Sequence, residues 1–149
     1  MSSRTRGRRR LITLAVVGSM VVFALAGCGG NDYASKANDI CKKASAQLKA
    51  IPNPTNAAGV STYLNRAAPL LAGAIAKLKA IKPPSDKSSA YRELLSGLDQ
   101  ESVALQQAVD AAKGGDVKKA ISLLQQQSAL SSQVNARAKA AGLKECAKG

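Results

Sequence analysis

The sequence predicts an all-α fold, an antiparallel up-down four-helix bundle that follows a cleavable N-terminal segment. Apolar residues recur at steps of three and four, which is the period of one helix face. Alanine, leucine, serine, lysine and glutamine dominate the composition, and most of these are strong helix formers. Prolines and a glycine pair divide the chain into four such segments, and alternation typical of strands is not found.

The segments are predicted at residues 32–50, 55–81, 85–113 and 117–141. Thr55 or Asn56 is expected to cap the second helix, Ser85 or Asp86 the third and Asp116 the fourth. Pro69 lies inside the second segment. An interior proline costs a helix about 3 kcal/mol. A bend is therefore expected near residues 66–69, or a division into two shorter helices.

The first 27 residues have the layout of an export signal. Five arginines and no acid lie in the first ten residues, and residues 11–27 form an uncharged apolar run. That run is short for a permanent membrane span, which needs about 20 apolar residues. Arg8-Arg9-Arg10 also fits twin-arginine export, although the general secretory route is favoured because adjacent arginines are common in basic segments.

The end of the apolar run, Leu25-Ala26-Gly27-Cys28, resembles the lipobox of bacterial lipoproteins. The resemblance implies that the Cys28 thiol receives a diacylglycerol and that a peptidase cleaves just before it. Residues 1–27 are then a cleaved signal peptide, residues 28–31 a lipidated cysteine with a flexible tether, and residues 32–149 the bundle domain. The expected location is the extracytoplasmic face of the cell membrane. The alternative is an uncleaved anchor that contains Cys28 by chance.

Two further cysteines, Cys41 and Cys146, lie near the two ends of the remaining chain. An even pair in an exported protein favours a disulfide, and an up-down bundle brings the chain ends to one end of the fold. Two free thiols are the alternative. A zinc site is not expected, because two cysteines without any histidine make a poor metal site.

The charge balance points to anionic partners without identifying one. The chain has 22 basic and 9 acidic residues; five arginines belong to the signal, which leaves 17 basic against 9 acidic, a net charge of +8. This charge attracts lipid headgroups or acidic envelope polymers, but it is spread over all four helices as solvated faces usually are. The predicted location and the scarcity of aromatic residues argue against nucleic acid.

Neither an enzymatic activity nor a cofactor is expected. Histidine is absent, so a serine–histidine pair is excluded, and no motif selects a serine–lysine dyad. Asp99 and Glu101 point to different helix faces and are interpreted as solvated surface residues. The turn at Gly114-Gly115-Asp116 lacks the glycine pattern and the lysine of a phosphate-binding loop.

Tyr63 and Tyr91 are placed on inner helix faces, where they either line a ligand cavity or, more commonly, fill core space. The run Gln125 to Gln127 crosses the core face of the fourth helix. It indicates a solvent-facing stretch, a groove for a partner, or a polar lining, and the sequence does not distinguish these.

The whole layout is similar to small helical lipoproteins of actinobacteria. The similarity rests on the lipobox, Ile40-Cys41, Pro69, Lys82-Pro83-Pro84, Gly115-Asp116, and the ending Ala141-Gly142-Leu143-Lys144-Glu145-Cys146. It implies fold and location but no activity. The expected function is a non-enzymatic envelope module, anchored through lipid on Cys28, that presents a helix face to an envelope protein or anionic polymer. The alternative is a binding protein or sensor for a small apolar or amphipathic ligand held between the helices.

Overall fold

The computed structural model describes residues 29–148, and this part of the chain is all-helical, as predicted. No strand occurs in the described range. Its four α-helices are α1 (Gly29–Lys49), α2 (Ala57–Lys79), α3 (Ser88–Lys113) and α4 (Val117–Ala140), and single 3-10 turns span Ser85–Lys87 and Cys146–Lys148. None of these helices combines the length and the hydropathy needed to cross a membrane. The signal, the lipobox and Cys28 lie outside the described residues.

The helix starts agree with the predicted caps at two of three positions. The side chain of Asn56 accepts a hydrogen bond from Gly59 N, and that of Asp116 accepts one from Lys119 N. Each side chain satisfies an amide that has no partner within its helix. The third prediction is wrong, because a 3-10 turn comes first and α3 begins after Lys87 without a side-chain cap. Such turns are common at helix N-termini.

Two other boundaries differ from the sequence prediction. α1 begins at Gly29, so residues 29–31, expected as a flexible tether, form the start of the helix. α2 runs unbroken through Pro69, so a division into two helices is wrong. The proline deprives the carbonyl of Asn65 of its helical donor. Both residues are exposed, so water can satisfy that carbonyl and the helix continues.

Glycine ends both α3 and α4 by the same mechanism. Gly115 and Gly142 have φ of 82° and 78°, a backbone conformation that glycine adopts without steric cost. After α3, Gly115 N donates to Ala112 O and Asp116 N donates to Ala111 O. The same pair of bonds follows α4 at Gly142 and Leu143. These paired bonds satisfy carbonyls that the helix end leaves free.

The helices enclose two separate groups of buried residues. One group contains Tyr33, Ala37, Leu78, Tyr91, Leu94, Val134, Ala138, Ala141 and Leu143. The other contains Ile51, Val60, Leu64, Ala67, Leu105, Ala108, Val109, Ala112 and Ala120. On α4, Ala120 is fully buried, whereas Ile121 beside it is exposed. We call these groups the Tyr91 cluster and the Leu64 cluster.

Neighbouring helices along the chain pack on one another, most extensively α3 on α4. Within the described residues, α1 and α4 share at most marginal direct contact. The segment that follows α4 bridges them instead. Its Glu145 N donates to Asn38 Oδ1 of α1 over 2.8 Å, and Cys146 forms the predicted disulfide with Cys41. The α1–α4 seam is therefore held from one side by the C-terminal segment.

A close approach of α3 and α4 occurs at Gly97. A Cβ added there would lie 2.7 Å from Arg137 Nη1 and 2.9 Å from Val134 Cγ2, whereas one added at Gly73 meets nothing within 4 Å. Gly73→Ala should raise the free energy of unfolding by about 0.5–1 kcal/mol, because alanine has the higher helix propensity. Gly97→Ala should lower it by about 1 kcal/mol, because overpacking outweighs that gain. Urea unfolding of both variants measures the contrast, and equal gains would show that α4 yields freely at this point.

Candidate functional site

A cavity of about 520 Å³, partly open to solvent, lies among the four helices. It borders both groups of buried residues, since its lining includes Leu78, Leu94 and Val134 of the Tyr91 cluster and Ile51, Ala67 and Leu105 of the Leu64 cluster. The core is thus interrupted in the middle of the bundle. Alanine-rich helix faces allow close packing, yet the helices leave this space between them.

Most of the cavity wall is apolar and comes from α1, α2 and α3. Its apolar side chains are Ala44, Leu48, Ile51, Tyr63, Ala67, Leu71, Ala74, Ile75, Leu78, Leu94, Leu98, Leu105, Leu124 and Val134. Several of them, including Leu48, Leu71 and Leu98, are only partly buried, so apolar surface remains available inside the fold. This volume and lining are typical of pockets that hold small organic ligands, which measure about 300–1,000 Å³.

Polar groups converge on one side of the cavity, between α3 and α4. Ser131 Oγ donates to Glu101 Oε1 over 2.6 Å, and Gln127 Nε2 donates to the backbone oxygen of Glu101 over 3.0 Å. Asn135 follows on the same helix, one turn beyond Ser131, and also lines the cavity. An apolar chamber with one hydrogen-bonding wall can hold an amphipathic molecule in a defined orientation.

Glu101 is the central residue of this wall. The prediction that it is a solvated surface residue is wrong. Only 8% of its surface is exposed, and it is the one charged or polar residue of the described chain that counts as buried. Desolvation raises the pKa of its carboxyl group above the ordinary value, and the hydrogen bond from Ser131 offsets part of that rise. Asp99, two residues earlier, fits the predicted surface role, since it is half-exposed and pairs with Lys79 at 2.8 Å.

This burial makes stability depend on pH in a definite direction. A carboxyl group with a raised folded-state pKa binds protons more readily in the folded chain, so the unfolding free energy decreases as pH rises through that pKa. Glu101→Gln should therefore raise the unfolding free energy at pH 7. The difference from wild type should shrink as pH falls through the raised folded-state pKa and should vanish below 4.5, the ordinary pKa of the carboxyl group.

Urea unfolding of both proteins between pH 3.5 and 7 measures this effect, with Glu93→Gln as the matched control. Glu93 lies on the same helix but is exposed, so its replacement should leave the pH profile unchanged. A Glu101→Gln protein that is less stable than wild type at pH 7 would contradict the argument. That result would mean that the carboxylate gains more from its partners than burial costs it.

The two tyrosines singled out by the sequence have different roles. Tyr63 lines the cavity, as one of its predicted roles required. Tyr91 does not line it: the side chain is fully buried, its hydroxyl donates to Leu78 O over 2.7 Å, and its ring meets that of Tyr33 edge to face at 5.2 Å. Burial raises the pKa of Tyr91 and Tyr33 to about 12, so both hydroxyls remain donors at neutral pH.

The C-terminal segment contributes one edge of the cavity. Glu145, Cys41 and Cys146 all belong to the lining, so the disulfide forms part of the cavity wall as well as joining the chain ends. Tyr33 assists by donating from its hydroxyl to Ala141 O over 3.2 Å, where α4 ends. Glu145 was not predicted as a site residue, because its position depends on how the segment after α4 folds back.

The glutamine run of α4 divides between two environments. Gln125 and Gln126 are exposed, whereas Gln127 is half-buried and lines the cavity. The sequence left three interpretations of this run open, and the structure selects a polar lining for Gln127 and a solvent-facing position for its two neighbours. The interruption of the apolar face of α4 therefore coincides with the hydrogen-bonding wall.

Among the described residues, no group of three or more histidine, cysteine, aspartate or glutamate side chains is arranged to hold a metal ion. The polar wall contains a single carboxyl group, one hydroxyl and neutral amides, an arrangement that serves binding through hydrogen bonds. No protein-family model matches this sequence, and no curated protein or solved structure matches it either.

Proposed function

We propose that this chain is a non-enzymatic, lipid-anchored binding protein of the extracytoplasmic membrane face, which holds a small amphipathic ligand in the cavity between its helices. The observation that carries the proposal is the cavity of about 520 Å³ with an apolar wall and one hydrogen-bonding side. The apolar side chains that line such a cavity lack packing partners, which lowers the free energy of unfolding. A ligand that binds the folded protein would raise it again.

The arrangement of the helices supports access for a ligand. We propose an antiparallel up-down bundle. Two hydrogen bonds between α3 and α4 support it, because their order along α3 is the reverse of their order along α4. Arg137 Nη1 donates to Glu93 O, and Ser131, which lies earlier in α4, donates to Glu101, which lies later in α3. The seam between α1 and α4 is bridged by the C-terminal segment, so entry is expected beyond that bridge, near Ser45 and Leu48.

The anchor is the second part of the proposal. Lipid on Cys28, with the signal of residues 1–27 removed, would hold the bundle at the membrane surface, where amphipathic molecules are concentrated. Two or more acyl chains give stable anchoring, since each buried CH₂ contributes roughly 0.8 kcal/mol. Growth with an alkyne-labelled palmitate should label the wild-type protein and not a Cys28→Ser variant. A label that persists in the variant would place the lipid elsewhere or show that it is noncovalent.

Native mass spectrometry of the mature protein, purified gently from its own envelope, tests the ligand. A stoichiometric adduct beyond the lipid on Cys28 is expected. Leu71→Trp adds bulk inside the cavity and should abolish the adduct, whereas Val103→Trp, on a surface that is 58% exposed, should retain it. Circular dichroism should confirm that both variants are folded. An adduct that survives Leu71→Trp would lie outside the cavity, and a wild-type protein without any adduct would contradict the proposal.

A second function, an envelope interaction module, is favoured by the outer face of α3. This face carries the exposed Val103 beside the partly buried Leu95 and Ala104, with Arg92 and Asp99 at its polar positions. We propose that an envelope protein or an anionic polymer contacts this face. Crosslinking in intact cells from a photoreactive residue at position 100 tests it, and a pattern identical to that from exposed position 126 would contradict it.

A further inference from the structure

We infer that the ligand of the central cavity is an amphipathic amine, whose cationic head bonds to Glu101 while its hydrocarbon part lies against the apolar wall. The inference rests on the proposed function, because it assigns a chemical class to the ligand of that cavity. Its basis is the geometry around the Glu101 carboxyl group.

The carboxyl group of Glu101 has one oxygen in use and one available. Oε1 accepts the hydrogen bond from Ser131, and within the described residues Oε2 accepts none. In the described chain, every fully buried side-chain oxygen or nitrogen has a hydrogen-bond partner. Because Oε2 has none, it is not fully buried. Because Glu101 lines the cavity, its free oxygen is open to a molecule held there.

An amine is the head group that suits this position best. A carboxylate in an apolar surrounding requires a partner of opposite charge or several donors to offset desolvation. An ammonium group provides both, because it carries a positive charge and three donors, and charge-assisted hydrogen bonds are about twice as strong as neutral ones. Gln127 and Asn135 line the same wall, and their side-chain oxygens are acceptors that could bind its other donors.

The charges of the lining also favour a cation, although the chain as a whole is basic. The charged residues of the lining are Glu101, Glu145 and Lys49, and Glu145 already pairs with Lys148, so Glu101 is the acid that a ligand would meet. Lys49 is exposed and lies at the rim, so it can attract an anionic head only at the entrance. An anionic ligand would thus bind with its head group at the entrance. The experiment below distinguishes this alternative from an amine.

The test compares three probes of equal chain length, decylamine, decanol and decanoate, by isothermal titration calorimetry at pH 7. All are used at concentrations below those at which they form micelles. Wild-type protein should bind one decylamine, at least about tenfold more tightly than decanol. Glu101→Gln should reduce the affinity for decylamine to that for decanol and leave decanol binding within about threefold. Glu93→Gln, exposed on the same helix, should behave as wild type.

Each other outcome has a distinct meaning. Equal affinity for decylamine and decanol, or a preference that persists in Glu101→Gln, would overturn the amine assignment and leave the cavity as a binding site. Tightest binding of decanoate, weakened by Lys49→Gln, would replace it with an anionic class. Failure of all three probes would count against the proposed function itself. Ser131→Ala changes the same wall but keeps the carboxyl group, so it should retain the preference for the amine. It thereby controls for a general disturbance of the wall in Glu101→Gln.

Discussion

Replacing Cys41 and Cys146 together by alanine should lower the free energy of unfolding by about 4.7 kcal/mol, the largest effect that we expect from any change in this chain. The disulfide joins residues 105 positions apart, and a crosslink of that span removes much of the conformational entropy of the unfolded chain. A domain of this size has a total stability of about 5–15 kcal/mol, so the loss is a large share of it.

Urea unfolding of the oxidised wild type and of the double variant, followed by circular dichroism, measures this difference. Wild type treated with reductant is the matched control. It lacks the disulfide and differs from the double variant only by its two free thiols, so its stability should approach that of the variant. The free C-terminal segment should also loosen one edge of the cavity, so amide hydrogens near Ala141 and Leu143 should exchange faster. A variant within about 0.5 kcal/mol of oxidised wild type would show that native contacts alone hold the segment.

Leu64→Ala should destabilise the fold by about 2–5 kcal/mol, the next largest effect. Leu64 is 0% exposed in the middle of its cluster, and its truncation removes buried apolar contacts and leaves a void. The residue does not line the central cavity, so the new void adds to the existing one without relieving it. Val103→Ala is the control: that side chain is 58% exposed, and its loss should change stability by less than about 0.5 kcal/mol.

Thermal and urea unfolding of Leu64→Ala and Val103→Ala provide the comparison. Combining Leu64→Ala with loss of the disulfide should give additive costs, because Leu64 and Cys146 belong to different groups of packed residues. Costs that are equal for Leu64→Ala and Val103→Ala would mean that the Leu64 cluster collapses around the deletion. Strong non-additivity would instead show that the two ends of the bundle unfold as coupled parts.

The candidate site was predictable only in part. Tyr63 could be placed on an inner face from helical spacing, and the glutamine run marked the part of α4 where the apolar face fails. Glu101 was interpreted as a solvated surface residue together with Asp99, although the two point to different helix faces. Their difference arises from their neighbours: Ser131 and Gln127 of α4 meet Glu101, whereas Lys79 of α2 meets Asp99 at the surface.

Local chemistry explains why the sequence alone determined the helical class and most of the boundaries. Helical spacing, the caps at Asn56 and Asp116, and the glycines that follow α3 and α4 each act within a few residues along the chain. The sequence favoured a disulfide between Cys41 and Cys146 over two free thiols, and the structure confirms the disulfide.

Only the tertiary structure decided that α2 continues through Pro69, that Tyr91 is core and Tyr63 is cavity wall, and that Glu101 is buried. It also decided that alanine-rich helices leave a chamber between two packed clusters. The reason is the same in each case. Burial and packing depend on which side chains of distant helices meet, and the spacing along one helix does not contain that information.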